Sequence, residues 1–390
     1  MDIEYKNGIK YFRCLKRGRL IKATPEEEVR QQLLKTLLSD LKVPKDMLHV
    51  EERISKYGVE TKDRVDIVID YETEEYCYPL VIIECKRPEI PLTYQVMQQL
   101  ERYNDHFVVN EFAAKVLGMT NGHTIDWFLL GEDNQYKQVE TPPDYQQIIE
   151  GQGFTYIKNN SYISSVQDED FEDVPTFIRP FVMNISNLFL NEQYVISSII
   201  GEGFKIVEDK GLRLESNGNA SGGNWDGEYR CLLLNSEDFN NVSTDDTNHF
   251  TMGFCVFPSE TPYLACSFDN NITPNHNSLQ LRLNDWLRIK GSKVEVWHDG
   301  TITIGHLGRA KREGLIMFVA SIYPELVVNN HIFLGELDNS KKLSFSDEDV
   351  ELFMSNLIKY VLCREKFRIE FKRINSTRDF LSIEPLSIKT

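Results

Sequence analysis

The sequence has no long apolar run. No stretch approaches the roughly 20 residues that a bilayer span requires, so no membrane is expected among its partners. The N-terminus, MDIEYKNGIKYFRCLKRGRL, lacks the apolar segment of a signal peptide, and a cytoplasmic location is expected. Asn-x-Ser/Thr triplets such as Asn219–Ser221 are then chance matches. There is also no CxxC pair. Seven cysteines are scattered from Cys14 to Cys363, which predicts reduced thiols and argues against a disulfide framework or zinc site. The histidines show no metal-ligand spacing, and His298 and His306, flanking a predicted hairpin, read as structural. No GxxxxGK[ST] loop occurs, so ATP-driven translocation would need a separate subunit. Positive charge is scarce: the net charge is −17. Phosphate neutralisation dominates affinity for nucleic acid, so this balance counts against a nucleic-acid binder. The deficit is uneven, because residues 1–22 carry Lys6, Lys10, Arg13, Lys16, Arg17, Arg19 and Lys22 against Asp2 and Glu4. That arm has two readings, a local phosphate track or a solvated edge hairpin protected by its cations.

What is present centres on Arg64–Pro88, RVDIVIDYETEEYCYPLVIIECKRP. Alternation on both sides of a polar turn predicts two strands. Closing the hairpin symmetrically about Glu75 sets Asp66 opposite Glu84, and opposed residues share a face. Lys86 joins them, since side chains two apart point the same way. The other face carries only Val, Ile and Cys and reads as core. Adjacent carboxylates repel unless a cation lies between them. Oxygen ligands suit a hard divalent ion, Mg²⁺ above all, with Mn²⁺ as substitute. A neighbouring lysine can orient or activate water and offset charge on an attacked phosphate. The chemistry implied is metal-assisted phosphodiester hydrolysis. The alternative is a surface hairpin with an ordinary charged face. Val68 and Ile82 share that face, so it is expected to be partly buried.

On the N-terminal side, Thr24, Pro25 and Glu27 form a capping-box start to a helix whose core stripe is Val29, Leu33, Leu37 and Leu41. Residues 48–55 read as a strand. Thr93 opens a second helix with Val96, Leu100, Tyr103 and Phe107 on its core side and Gln95 and Gln99 on a flank. Either glutamine is a candidate donor to a scissile phosphate or to metal-bound water, or simply a polar flank residue of an amphipathic helix. Tyr103 reads as a core aromatic whose hydroxyl finds a partner. Strands follow at Ala114–Leu117 and Trp127–Leu130, separated by the Asn121-Gly122 turn.

Together these pieces resemble a known family. Asp66 followed by Glu84-Cys85-Lys86 is similar to the PD-(D/E)xK nuclease motif, with Val65 where proline often stands. The flanks Thr24-Pro25-Glu26-Glu27-Glu28-Val29-Arg30, Gln99-Leu-Glu-Arg-Tyr103, Thr120-Asn121-Gly122 and Trp127 narrow the resemblance to the N-terminal nuclease domain of type I restriction enzyme R subunits, over roughly residues 20–131. The resemblance implies Asp66, Glu84 and the Cys85 carbonyl as metal ligands, Lys86 and Gln99 as catalytic residues, and a helix-one glutamate, Glu27, reaching the metal site. Read from the residues alone, Glu27 only caps its own helix, and that reading is preferred. The expected fold class is α+β: a restriction-endonuclease-like αβββαβ domain with a mixed sheet over residues 1–140. A linker and connector helix occupy 141–200, and a β-rich α+β domain 201–390. The expected function is a Mg²⁺-dependent endonuclease acting on DNA in restriction or phage defence. The rivals are the same chemistry on RNA, and a non-catalytic nucleic-acid-binding or regulatory protein on the same scaffold. Further partners would be a second copy of the chain or a separate sensor or translocase subunit.

Beyond Glu132 the composition changes. Pro142-Pro143 and the acidic run Ser164–Asp173 read as linker, with a short helix at 143–150, and Phe177–Ile200 reads as a helix. Strands are expected at 211–215, 229–234, 249–257, 263–268, 278–283, 294–298 and 301–304, helices at 309–323 and 346–363, and a terminal strand at 366–373. Residues 201–390 would serve target recognition, sensing or assembly. Two features there invite function. Gly305–Arg312, a glycine turn feeding a helix start with Arg309, Lys311 and Arg312, reads either as a phosphate-holding turn or as a simple strand-to-helix turn with a solvated first turn. The loop Ser216–Asp226 around Trp225 reads as a binding loop or a loose tip.

Overall fold

The computed structural model describes residues 3–74, 76–108, 113–158, 161, 168–192, 200–201, 203–218, 224–236, 249–270 and 275–380. The chain divides into two compact units. The first is Met1–Asn160 with Leu287–Lys293, and the second is Ser161–Trp286 with Val294–Thr390.

The first unit opens with a three-stranded antiparallel sheet, β1 (Ile3–Lys6), β2 (Ile9–Arg13) and β3 (Leu20–Lys22). Helix α1 (Pro25–Ser39) follows. The Thr24 hydroxyl accepts the Glu27 N–H at its start, Pro25 takes the first turn, and Glu26, Glu27 and Glu28 suit the positive end of the helix dipole. The central sheet runs in order β4 (Leu48–Arg53), β5 (Arg64–Glu72), β6 (Cys77–Cys85), β7 (Val116–Thr120), β8 (Ile125–Leu130) and β9 (Tyr136–Val139). All its pairings are antiparallel except β6–β7, which is parallel. Helix α2 (Tyr94–Val108) lies between β6 and β7, because a parallel neighbour needs a long crossover. The run helix, three strands, helix and the mixed sheet are those expected from the sequence, within an α+β fold, but three strands follow α2 where two were expected, β9 being the addition.

The hairpin keeps its expected register at Ile67–Ile83, Val68–Ile82 and Ile69–Val81. A bulge between Ile69 and Asp70 then shifts the outer pairs by one. Glu75, the presumed centre, lies outside the described residues. Both faces are buried: Ile67, Ile69, Val81 and Ile83 on one, Val68 and Ile82 on the other. The first set packs with Val29, Leu33, Leu34 and Leu37 of α1. The core extends beyond β9, for Ile148 of helix α3 (Tyr145–Glu150) joins the same cluster, and Asp144 caps that helix in a full capping box. The segment Leu287–Lys293 returns to this unit. Its Arg288 guanidinium meets buried Asp126 at 3.2 Å, and the Gln138 amide donates to the Ile289 carbonyl and accepts the Gly291 N–H.

In the second unit β10 (Ile200–Gly201), β11 (Phe204–Gly218), β12 (Asn224–Asn235), β13 (His249–Phe257), β14 (Tyr263–Asp269) and β15 (His276–Arg282) form an antiparallel meander. Gly218 also pairs with His276, joining β11 to β15 in parallel. Helix α4 (Arg179–Asn191) packs on β12 and β13. Several expectations fail here. Residues 366–373 belong to a helix, Glu348–Phe380, not to a strand. The alternation of Phe367, Ile369 and Phe371 misleads, because Phe367 and Phe371 are also four apart and their rings meet across one helical turn at 5.9 Å. Residues 301–304 form no strand, only an isolated bridge between Thr303 and Arg309, and the next helix starts at Arg312 instead of Arg309. The described residues of the loop, 216–218 and 224–226, are strand. Trp225 pairs with Asn217 and packs edge-on against Phe257 and Tyr263, each at 5.0 Å. The tip 219–223 and the acidic residues 164–167 lie outside the described residues. The rest of the acidic run starts a single 3₁₀ turn that buries Phe171.

One close approach fixes the first unit's sheet. Gly118 pairs with Trp127, whose ring lies over it, and a Cβ there would come within 2.5 Å of the indole. Gly118→Ala is expected to cost about 1–3 kcal/mol by overpacking. Adding Trp127→Leu should recover part of that loss in urea denaturation, and no recovery would mean the strain lies elsewhere.

Candidate active site

The β5–β6 ladder ends at Ile67–Ile83. One residue further the strands splay, and the side chain of Asp66 takes the Cys85 N–H with its Oδ2, at 2.8 Å. Its Oδ1 accepts from Arg30 of α1 at 2.6 Å. Across the splay, Glu84 Oε1 accepts from Lys86 Nζ at 2.7 Å and from Gln99 Nε2 of α2 at 2.8 Å. Gln99 Oε1 in turn accepts from Lys86 at 2.7 Å, and its amide nitrogen also donates to the Tyr103 hydroxyl at 2.6 Å. So Glu84, Lys86 and Gln99 share one network, Asp66 lies near enough for its charge to act on Glu84, and buried Tyr103 keeps its polar tip on that network as expected.

The electrostatics follow from burial. Glu84 is 6% exposed. Burial first, and then the charge of Asp66, push its carboxyl up to about 7 against the pull of Lys86 and Gln99. Cys85 is buried on the core side, and burial with the Asp66 charge pushes its thiol well up. Cys85 therefore stays a neutral thiol.

Two residues without an assigned role belong to this cluster. Arg30 is buried, bonded to Asp66 and paired with the Glu27 carboxylate. Burial works against its charge, but Asp66 and Glu27 outweigh it and raise the guanidinium pKa. A signal existed, since Arg30, Leu33, Leu34 and Leu37 share one helix face. Glu51 is the other. It adopts a left-handed backbone, φ 50°, which costs a non-glycine residue roughly 1–2 kcal/mol. It lies where the β4–β5 pairing skips, between Val50–Ile67 and Glu52–Val65. Its carboxylate meets Arg17 at 2.8 Å, Arg64 at 3.5 Å and Arg30 at 3.9 Å. Burial pushes it up, but these arginines hold it below the usual carboxylate range.

Glu27 corrects the preferred capping-only reading. Only its backbone N–H serves the cap; its side chain, 4% exposed, accepts from Arg30 and from Gln31 at 2.7 Å. It thus reaches Asp66 through Arg30. The basic arm is partly consumed. Arg13 pairs with Glu4, Lys16 donates to the Lys45 carbonyl, and Arg17 is spent on Glu51 and the Val50 carbonyl. In the second unit, Arg312 donates to the carbonyls of Asp299 and Asn330, and Lys311 stands before the helix without a side-chain capping bond. Arg309 points to a different pocket, described below.

The donor set fits a hard divalent cation: two carboxylates that repel each other, and a buried glutamate whose ionisation an ion would favour. Among the described residues no three His, Cys, Asp or Glu side chains converge to hold a metal. Backbone, water or substrate oxygens would have to complete a shell.

With that geometry established, residues 25–143 match the family described as the type I restriction enzyme R protein N terminus. The match spans just under a third of the chain, includes Asp66, Glu84, Lys86 and Gln99, and agrees with the resemblance read from the motifs. No curated protein and no solved structure matches the chain. Among the described residues no helix is long and apolar enough to cross a membrane.

Glu84 gives a test without substrate. Its carboxyl titrates near 7 when folded, against 4.5 ordinarily. The folded chain therefore holds an extra proton in that window. The stabilisation is complete below pH 4.5 and lost as the pH rises through 7. Glu84→Gln keeps an acceptor for Lys86 and Gln99 but cannot ionise. In EDTA the variant should gain on wild type between pH 4.5 and pH 8 by up to about 3 kcal/mol. Urea titrations at both pH values measure this, and a pH-independent difference would contradict it.

Proposed function

We propose that the first unit is a metal-dependent nuclease that hydrolyses phosphodiester bonds in DNA, of the restriction type. One observation carries the reading: Asp66 and Glu84 are held together at the splayed end of the hairpin despite their repulsion, with the Lys86 ammonium tied beside them. A stable fold has no need of that arrangement.

Asp66, Glu84 and the Cys85 carbonyl would hold Mg²⁺, which when bound supplies polarisation of a phosphoryl oxygen and acidification of water. The chain's own residues then divide the remaining work. Lys86 is a charged donor held by Glu84 and Gln99, able to orient water or stabilise charge on the attacked phosphate. Gln99 fixes Lys86 and Glu84 together and is itself fixed by Tyr103. Glu27 acts at one remove, aiming Arg30 at Asp66. The second unit would serve recognition, sensing or assembly, and a translocase would be a separate subunit.

Arg30 also supports a second reading. It neutralises Asp66 without any metal, as a regulatory protein on a nuclease scaffold would require. Cation binding separates the two. Mn²⁺ or Mg²⁺ should raise the melting temperature of wild type and not of Asp66→Asn if the site takes metal, and no shift in either favours the regulatory reading.

Activity is tested with the full chain on labelled plasmid, single-stranded DNA and RNA, in Mg²⁺ and in EDTA. Mg²⁺-dependent DNA cleavage is expected, reduced about 10²–10⁴-fold in Asp66→Asn and in Lys86→Ala, with circular dichroism unchanged. Equal cleavage by either variant refutes the assignment, and cleavage of RNA alone moves the same chemistry to that substrate.

A further inference from the structure

The second unit contains a polar cavity of about 260 Å³, lined by β15, the C-terminal helix and the turn at 301–309. Four arginines line it: Arg282, Arg309, Arg364 and Arg368. Two are compensated. Arg282 pairs with Asp285 at 3.1 Å. Arg368 pairs with Glu365 and donates to the Ser278 hydroxyl at 2.9 Å and the Ser278 carbonyl at 2.8 Å. The other two are not. Arg364 is 5% exposed and, among the described residues, bonds only neutral oxygens, the carbonyls of Ser278 and Thr301, each at 2.9 Å, and the Tyr360 hydroxyl at 3.1 Å. Arg309 is exposed and makes no hydrogen bond or ion pair among the described residues. Burying a cation without a counter-charge is unfavourable unless an anion arrives.

A second observation is independent of charge. Two amide nitrogens in the same wall, Asn277 Nδ2 and Gln280 Nε2, are buried and have no hydrogen-bond partner among the described residues. Asn277 is 6% exposed. The pairings Ser267–Asn277, Ala265–Gln280 and Tyr263–Arg282 set these residues on one face of β15, because alternate residues of β14 share a face. The register shift between Cys266 and Ser267 is what brings Asn277 to that side. His298 adds no charge: it is buried, and its Nδ1 accepts the Gly300 N–H at 3.0 Å with the Tyr360 hydroxyl at 2.8 Å. The cavity therefore offers guanidinium and amide donors, and its unmet groups all call for acceptors.

We propose that this cavity binds a small phosphate-bearing molecule, with the phosphate held by Arg309 and Arg364 and the polar remainder by Asn277 and Gln280. Guanidinium groups that line one cavity suit the several oxygens of a phosphate. The volume falls below the roughly 300–1,000 Å³ of drug-sized pockets, which restricts the ligand to about a mononucleotide or smaller. The inference rests on the second unit alone and stands whether or not the first unit cuts DNA.

The test is calorimetric titration of the full chain in EDTA, which keeps divalent ions out of the acidic site. The probes are inorganic phosphate, AMP, ATP and a short DNA oligonucleotide without a terminal phosphate. Saturable binding of at least one of the first three is expected. Arg309→Ala, an exposed position that spares the fold, should weaken it about tenfold or more. Asn277→Asp, which turns a donor into an anion, should abolish it. Binding of none of the three at millimolar concentration, binding of the oligonucleotide alone, or equal affinity in Arg309→Ala overturns the proposal.

Discussion

Two carboxylates on adjacent strands, in a place that water scarcely reaches, are the constraint around which the first unit is built. Asp66 and Glu84 destabilise each other, and each surrounding element offsets part of that cost. The splay of β5 from β6 frees the Cys85 N–H for Asp66. Helix α1 brings Arg30, and Glu27 keeps Arg30 in line. Helix α2 brings Gln99, which shares Glu84 with Lys86. Both helices are thus fixed to the sheet twice, by apolar packing and by these polar contacts. Apolar packing alone would leave a stable sheet with no site.

Much of this was legible in the sequence, and the reason is periodicity. Alternation set the hairpin faces, and the presumed centre at Glu75 gave the correct pairing nearest the site, where it mattered. The bulge beyond Ile69 was not legible, because an extra residue leaves no mark on a polar turn. Arg30 and Glu51 were missed for different reasons. An arginine in an acidic first turn looks solvated until its place on the core face is counted. Glu51 owes its position to a left-handed backbone that no motif announces. Glu27 shows the limit of a local rule: a residue suited to capping was drawn instead to a charge 39 positions along the chain, through Arg30.

The second unit was read less well, and its errors share a cause. Phe367, Ile369 and Phe371 satisfy strand and helix periods together, and the helix prevails because its preceding turns are already buried from Val350 to Cys363. The loop around Trp225 looked like a polar tip, yet two aromatic neighbours on other strands make it a packed edge. Neither neighbour is close in sequence. The chemistry of the two units also differs in sign. The first gathers carboxylate acceptors, met by Arg30 and Lys86. The second gathers donors, and its arginines come from segments too far apart for any spacing rule to join.

The return of Leu287–Lys293 bears on how the protein can be made. Arg288 reaches Asp126, and Ile289 and Gly291 close on Gln138, so the first unit is sewn shut with thread from beyond most of the second. A nascent chain can carry the hairpin and both flanking helices while the ribosome still holds back this stitch. Cutting the gene at the apparent border near residue 160 would therefore not release a finished module. It would yield a sheet whose Asp126, 3% exposed, faces an interior without Arg288.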